Sequence, residues 1–345
     1  MYHQLGGLAT LVFGKMPSGT GTSWGGSRRT QFVPESAPSR LRVALLWALR
    51  LGGTAAGILY TLTLVDLDKI GGAVKAIPIG ALAIAIALVA ANVVAGALRW
   101  RVLLDAYGAT SPPATMRMVR LSFVGFFYNN YLPGAVAGDV VRGVATREAF
   151  GEHGLTGNLA VVLVERALGL FALFVLLAGG LLLAGDGLDT GSLWLWTAAG
   201  VGGASAIVMG LIVARWLAPR LPAALGRIAS RVPAISDRGA FARGVLYSIA
   251  TQSLIALAGW ALLHAGHPEV GLAGALLVVP LAAATTFLPI TVGGAGAREA
   301  VFVSLCDSLF GIPAEDALAA SLALWFAHLA VGAGGGLLVA LRGTR

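Results

Sequence analysis

The residues with the greatest chemical capacity in this chain are charges written into apolar surroundings. Asp139 and Arg142 lie in YNNYLPGAVAGDVVR, Glu165 and Arg166 in NLAVVLVERALGLF, and Arg298 and Glu299 end the glycine-rich stretch TVGGAGARE. An ionised side chain at membrane depth is costly, so by default it faces protein or water and marks a functional site. A guanidinium offers a planar fork that can bind two oxygens of a lipid phosphate together. Asn129 and Asn130 donate and accept at once, which suits a phosphate or sugar lining and equally suits backbone freed by a helix break. Each charge also has a structural reading. Arg142 and Arg298 can be headgroup anchors, Asp139 can pair locally with Arg142, and Glu165 with Arg166 sits only about two turns inside its span.

Composition states what surrounds these groups. Hydrophobic residues make up 57% of the 345 and charged residues 12%, with a mean hydropathy of +0.83. A soluble chain averages about 25% charged, so this is a polytopic membrane protein. The 48 glycines allow helices to approach closely. The net charge of +8 is carried by arginines in loops beside spans. They orient the chain in the membrane, and nucleic acid is not an expected partner. The single cysteine, Cys306, allows neither an internal disulfide nor a cysteine-based metal site, and His264 and His267 have no third ligand nearby. No metal and no cofactor are expected. The chain shows no Walker loop and no Ser/His/Asp arrangement, so ATP coupling within it is not expected either.

The elements that must position the charges are helices. Full spans are predicted over residues 43–65, 79–98, 159–184, 193–214, 245–264 and 318–341. Two further apolar stretches are interrupted. The first breaks near Leu132, because Pro133 removes a backbone donor and Gly134 and Gly138 weaken helix beyond it; the second breaks at Pro289 and the glycines Gly293, Gly294 and Gly296. Broken backbone at membrane depth is tolerated only where protein or a water-filled cavity satisfies it, so the breaks predict a cavity.

Arginines at 99, 101, 117 and 120 precede the first break and Arg142 and Arg147 follow it. A hairpin that dips in and returns keeps both flanks cytoplasmic. Asp66 to Pro78 and the stretch holding Asp186 and Asp189 read as outer loops, and the arginines from 215 to 243 as a cytoplasmic one. The expected fold is thus all-α: an integral membrane protein with about six full spans and two re-entrant hairpins, and both termini in the cytoplasm. Residues 1–42 read as a basic, disordered tail in which Met16 is an alternative start, and 43–341 as the transmembrane domain. LPGAVAGDVVR from Leu132 aligns with LPITVGGAGAR from Leu288, which suggests an inverted repeat.

FFYNNYLPGAVAGDVVRG, VLVERALGL and FLPITVGGAGAREA together resemble the flippase-like transmembrane domain of lysylphosphatidylglycerol synthases, which also occurs in small stand-alone membrane proteins. The resemblance covers about Val43 to Leu341. It implies a first motif at Asn129, Asn130, Pro133, Gly138, Asp139 and Arg142, an arginine-bearing helix at Arg166, and a second motif at Pro289, Gly294, Gly296, Arg298 and Glu299. It further implies translocation of an anionic, aminoacylated or polyprenyl-linked lipid in the plasma membrane. The aminoacyl-transfer domain of a full synthase is not expected here, so any lipid modification would fall to a separate enzyme as partner. The alternatives are a polytopic glycosyltransferase using Asp66 and Asp68, and an accessory subunit of a lipid-modifying enzyme.

Overall fold

A computed structural model describes residues 40–132, 137–184, 193–220, 235–287 and 291–341. The tail up to residue 39, Pro133, Gly134, Pro289, the Asp186/Asp189 loop, Arg227, Arg231, Arg342 and Arg345 lie outside the described residues. All regular structure among the described residues is helical.

Six helices of 25 to 31 residues correspond to the six expected spans: α1 (Arg40–Leu64), α3 (Ile79–Ala106), α6 (Gly154–Ala184), α7 (Leu193–Leu217), α8 (Arg238–Gly266) and α11 (Ala314–Ala340). About 20 apolar residues cross the hydrocarbon core, and α3, α6, α8 and α11 are each long and apolar enough to do so. The chain is an all-α polytopic membrane protein. Several helices run further than the apolar windows suggested. α3 continues to Ala106 and α8 begins at Arg238, so Arg99, Arg101, Arg238 and Arg243 are helical and not loop residues. Arginine is a good helix former, and hydropathy marks only the lipid-facing part of a helix.

The outer loop expected from Asp66 to Pro78 is corrected. It holds a helix, α2 (Leu67–Ala76), bent 87° from α1, with Leu67, Ile70 and Val74 spaced along one face. Asp66 caps it by accepting from the Asp68 N–H, and its backbone N–H donates to Glu315 Oε1 at 2.9 Å. Lys69, 3.2 Å away, holds the Asp66 carboxyl below the usual carboxylate range.

Hydrogen bonds between helix ends establish which ends lie together. At one end, the Ser236 N–H donates to Ala106 O and the Thr110 N–H to Ala149 O, which joins the finish of α3 to the starts of α6 and α8. At the other, Asp66 meets Glu315, and His267 Nε2 lies 3.3 Å from Asp316 Oδ2. The finishes of α1 and α8 therefore meet the start of α11.

The two interrupted stretches are hairpins entering from these opposite ends. The first is α4 (Thr115–Tyr131) and α5 (Ala137–Ala145), and Arg117 and Arg120 lie within its first helix. α4 stops at Tyr131, with the Leu132 N–H closing back on Tyr128 O at 3.0 Å. The two arms pack backbone to backbone. A Cβ at Gly138 would lie 1.9 Å from Gly125 O, so only glycine fits. The second hairpin is α9 (Leu272–Ala284), a short 3-10 turn to Phe287, and α10 (Ala297–Phe310). Helices of 13 and 14 residues are about 20 Å long, which reaches the middle of a bilayer but does not cross it. At this break Gly293, Gly294 and Gly296 have φ of 64°, 86° and 80°. Gly296 also packs on α1, where a Cβ would stand 2.7 Å from Thr54 O.

Among the described residues two large apolar clusters dominate the core, beside a small third one of Leu177, Leu181 and Leu277. One joins Ala85, Val89, Ala256, Val278, Phe302 and Cys306, and the other joins Trp100, Leu103, Leu104, Met118, Val161 and Leu168. Lipid is as apolar as leucine, so close packing of small residues holds such helices together. Asn92 and Arg99 of α3 and Thr251 and Gln252 of α8 fall in the gap between the two large clusters.

Candidate functional site

In that gap five charged side chains from three helices meet: Arg99 of α3, Asp139 and Arg142 of α5, and Glu165 and Arg166 of α6. Glu165 (α6) accepts from Arg99 Nη2 at 2.8 Å through Oε1 and from Arg142 Nη2 at 3.0 Å through Oε2. Asp139 (α5) accepts from Arg142 Nη2 at 2.7 Å through Oδ1 and from Arg166 Nε at 3.0 Å through Oδ2. The Arg142 guanidinium lies over the Trp100 ring, 4.9 Å from its centroid. Arg99 reaches across to α8, donating to Thr251 Oγ1 at 3.2 Å. Both carboxylates are buried. Three guanidiniums compensate them, which is what permits ionised groups at this depth.

Local structure places the two acids and their partners. Asp139 and Arg142 stand one turn apart on α5, so a single short helix presents both. α5 is fixed at its start by Asn129 Oδ1, which accepts from the Gly138 N–H at 2.8 Å, and at its finish by Asn158 Nδ2, which donates to Thr146 O at 2.7 Å. Glu165 lies eleven residues into α6, about 16 Å from that end and deeper than expected, because the helix starts at Gly154.

A polar chamber of about 230 Å³ opens beside the network, lined by Arg99, Arg142, Glu165, Ser122, Gln252 and His328 among others. A second cavity, of about 630 Å³, lies toward the other end between the tip of the first hairpin, the second break, α1 and α11. It is lined by Asn130, Arg298 and Glu299 and by exposed apolar side chains such as Ile58, Leu62 and Trp325. Asn129 lines both cavities. Asn130 is otherwise occupied with its own helix, donating to Phe126 O at 2.8 Å.

Arg142 and Arg298, which align in sequence, do not have equivalent surroundings. Arg142 is held by carboxylates from two helices, whereas Arg298 hydrogen-bonds its neighbour Glu299, Nε to Oε1 at 2.9 Å. The other oxygen of Glu299 accepts from the Gly296 N–H at 2.8 Å and caps α10.

Sequence reasoning missed Arg99, Asn92, Ser122, Gln252 and His328. A signal was present, because Asn92, Gly96 and Arg99 fall at i, i+4 and i+7 on α3, and Ser122, Phe126 and Asn129 repeat that spacing on α4. Polar stripes at helical spacing on apolar helices point to a shared interior. Among the described residues, no group of three or more His, Cys, Asp or Glu could hold a metal ion.

No curated protein sequence matches the chain. A family profile described as the lysylphosphatidylglycerol synthase TM region matches residues 43–336, which takes in both hairpins and the whole charged network. The chain belongs to the lysylphosphatidylglycerol synthase transmembrane-region family.

Proposed function

We propose that the protein is a lipid translocase that passes a phosphate-bearing headgroup along the two cavities that share Asn129 in their walls, while the acyl chains remain in the bilayer. The observation that carries this reading is Asn129, which lines both a polar chamber and a larger cavity with an apolar rim. The headgroup would leave water at one end, meet the arginines Arg99 and Arg142 about midway, and reach Arg298 toward the other. Ile58, Leu62 and Trp325, exposed at the rim of the larger cavity, suit contact with acyl chains. Family membership supports a lipid-related role. The end bearing Arg101, Arg117, Arg147 and Arg238 is assigned to the cytoplasm by its basic residues, in the plasma membrane. The glycosyltransferase alternative rests on Asp66 and Asp68, and Asp66 has a structural role, capping α2 and pairing with Lys69.

The test is transfer of a short-chain fluorescent phosphatidylglycerol in vesicles reconstituted with the purified chain. The parent exchanges the probe between leaflets faster than protein-free vesicles. Arg298→Lys slows exchange and Arg298→Ala slows it further, because lysine keeps the charge and loses the fork. A parent no faster than protein-free vesicles would refute the proposal.

A further inference from the structure

We infer that lipid reaches the larger cavity sideways from one leaflet, through a portal between α1 and α11, and that α1 is the wall that moves to admit it. This rests on the translocase reading and adds where the lipid enters.

α1 is held unevenly. Among the described residues it packs closely along one neighbour, the second break and the start of α10. The contact is backbone on backbone: a Cβ at Gly57 would stand 2.6 Å from the Gly296 carbonyl carbon. Such a contact buries little side chain, and lipid can replace what is lost when it parts. The Val292 N–H donates across it to Thr54 Oγ1 at 2.9 Å. That bond is exchangeable. On release the Thr54 hydroxyl can turn to the Arg50 carbonyl one turn back, as Thr61 does to Gly57 O at 2.9 Å. The Val292 N–H is then left at the cavity wall, where a phosphate oxygen or a water can accept it. The far end of α1 is tied differently. There α2 turns 87° and packs on α11, and the Asp66 N–H bonds Glu315, so α1 can swing about the bend at Val65 and Asp66.

The space beside α1 suits acyl chains. Ile58 and Leu62 of α1 line the 630 Å³ cavity opposite Leu318, Leu322 and Trp325 of α11. Ile58, Leu62 and Trp325 are each more than 40% exposed, so the two apolar stripes stand apart and are not packed against each other. Protein interiors leave few voids of that kind, and lipid tails are the apolar filler a bilayer supplies at this depth. The opening also has a matching height. Leu64, where α1 ends, lies ten residues beyond Thr54, where it meets the break, and ten residues of helix span about 15 Å. One leaflet contributes about 15 Å of hydrocarbon. The portal thus spans a single leaflet, the outer one in the orientation proposed above. A lipid entering under α2 keeps its tails among its neighbours while its headgroup moves inward to Arg298 in the cavity wall.

The experiment locks the wall. Thr54→Cys with Val292→Cys, in a Cys306→Ala background, sets two thiols where one hydrogen bond now spans, within reach of a disulfide. Exchange of short-chain fluorescent phosphatidylglycerol in vesicles is expected to fall at least about tenfold on oxidation and to recover with dithiothreitol, because the cross-link holds only the closed state. Undiminished exchange in the oxidised protein, with the disulfide verified by mass, overturns the inference. A like fall in either single-cysteine variant overturns it too. A second readout needs no transfer. Leu318→Cys, in the same Cys306→Ala background with Thr54 and Val292 intact, puts a buried thiol on the cavity wall, to be labelled by a maleimide carried on a phospholipid headgroup. Thr54→Val keeps the side-chain shape and removes the bond that holds the wall shut, so labelling is expected to speed up about threefold or more, the population shift that one lost hydrogen bond produces. An unchanged rate overturns the inference. Should the disulfide not form, the labelling rates decide. Should the parent exchange no probe, the translocase reading falls and labelling still decides the portal, whereas parent exchange that the cross-link leaves untouched removes the portal alone.

Discussion

Replacing Glu165 with glutamine strands two guanidiniums in the interior, and the structure sets the size of the effect. The Glu165 side chain is 5% exposed, and those of Arg99 and Arg142 are 13% and 12% exposed. Removing one member of a buried ion pair costs about 3–5 kcal/mol, because the other charge is left without compensation. Arg142 keeps Asp139 and the Trp100 ring, and glutamine retains one accepting oxygen, so the low end, about 3 kcal/mol, applies. At about 2 °C per kcal/mol for a chain of this length, the melting temperature should fall by about 6 °C. Cys306 supplies the assay, since it is the one cysteine in the chain and is fully buried on α10. A thiol-reactive fluorophore in detergent therefore reports exposure of the core. Arg166→Gln is the comparison: its side chain is 37% exposed, and Asp139 retains Arg142, so the fall should be under about 2 °C. A Glu165→Gln shift no larger than the Arg166→Gln shift would refute the claim that Glu165 holds the network together.

Three further outcomes follow from particular contacts. Gly138→Ala places a methyl 1.9 Å from Gly125 O, so the arms of the first hairpin must separate; lipid transfer should be lost while more than about half of the thermal stability margin remains, overpacking costing typically about 1–3 kcal/mol. Parent-like transfer would show that the hairpin is not part of the path. Asp66→Asn keeps a capping side chain on α2, and Asp68→Asn leaves that cap in place, so both should transfer lipid as the parent does; a glycosyltransferase using these acids would lose activity in the same variants. Thr110→Cys and Ala265→Cys, in a Cys306→Ala background, lie at opposite helix ends, and an impermeant thiol reagent should reach only Ala265→Cys from outside intact cells; labelling of both from one side contradicts the orientation.

The helices and the two hairpins were legible because hydropathy and helix breakers act locally. Leu132 ends α4 where Pro133 forbids continuation, and 20-residue apolar runs have few other uses. The inward charges Asp139, Arg142, Glu165 and Arg166 were legible for a related reason, since each interrupts an apolar run. Arg99 was misread because the apolar run stops at Leu98, and an arginine just past such a run looks like a loop marker; only its register with Asn92 and Gly96 shows that it faces inward. α2 was missed because ten residues with three charges carry no apolar window, and its formation depends on the Asp66 cap and on packing against α11. The difference between Arg142 and Arg298 is a tertiary fact. Their local sequences align, but only Arg142 has a carboxylate from a distant helix, Glu165, waiting beside it.

The central claim, that the headgroup travels through the polar chamber, is tested most directly at Gly96. This residue lines the chamber, and a Cβ built on it meets nothing within 4 Å, so a larger side chain grows into open space without disturbing the packed helices. Exchange of short-chain fluorescent phosphatidylglycerol is to be measured in vesicles holding equal amounts of parent or Gly96→Leu, with the Cys306 unfolding assay run on the same preparations. The account predicts exchange reduced to the protein-free rate in Gly96→Leu with a melting temperature within about 2 °C of the parent. Parent-like exchange through a chamber filled in this way would contradict it.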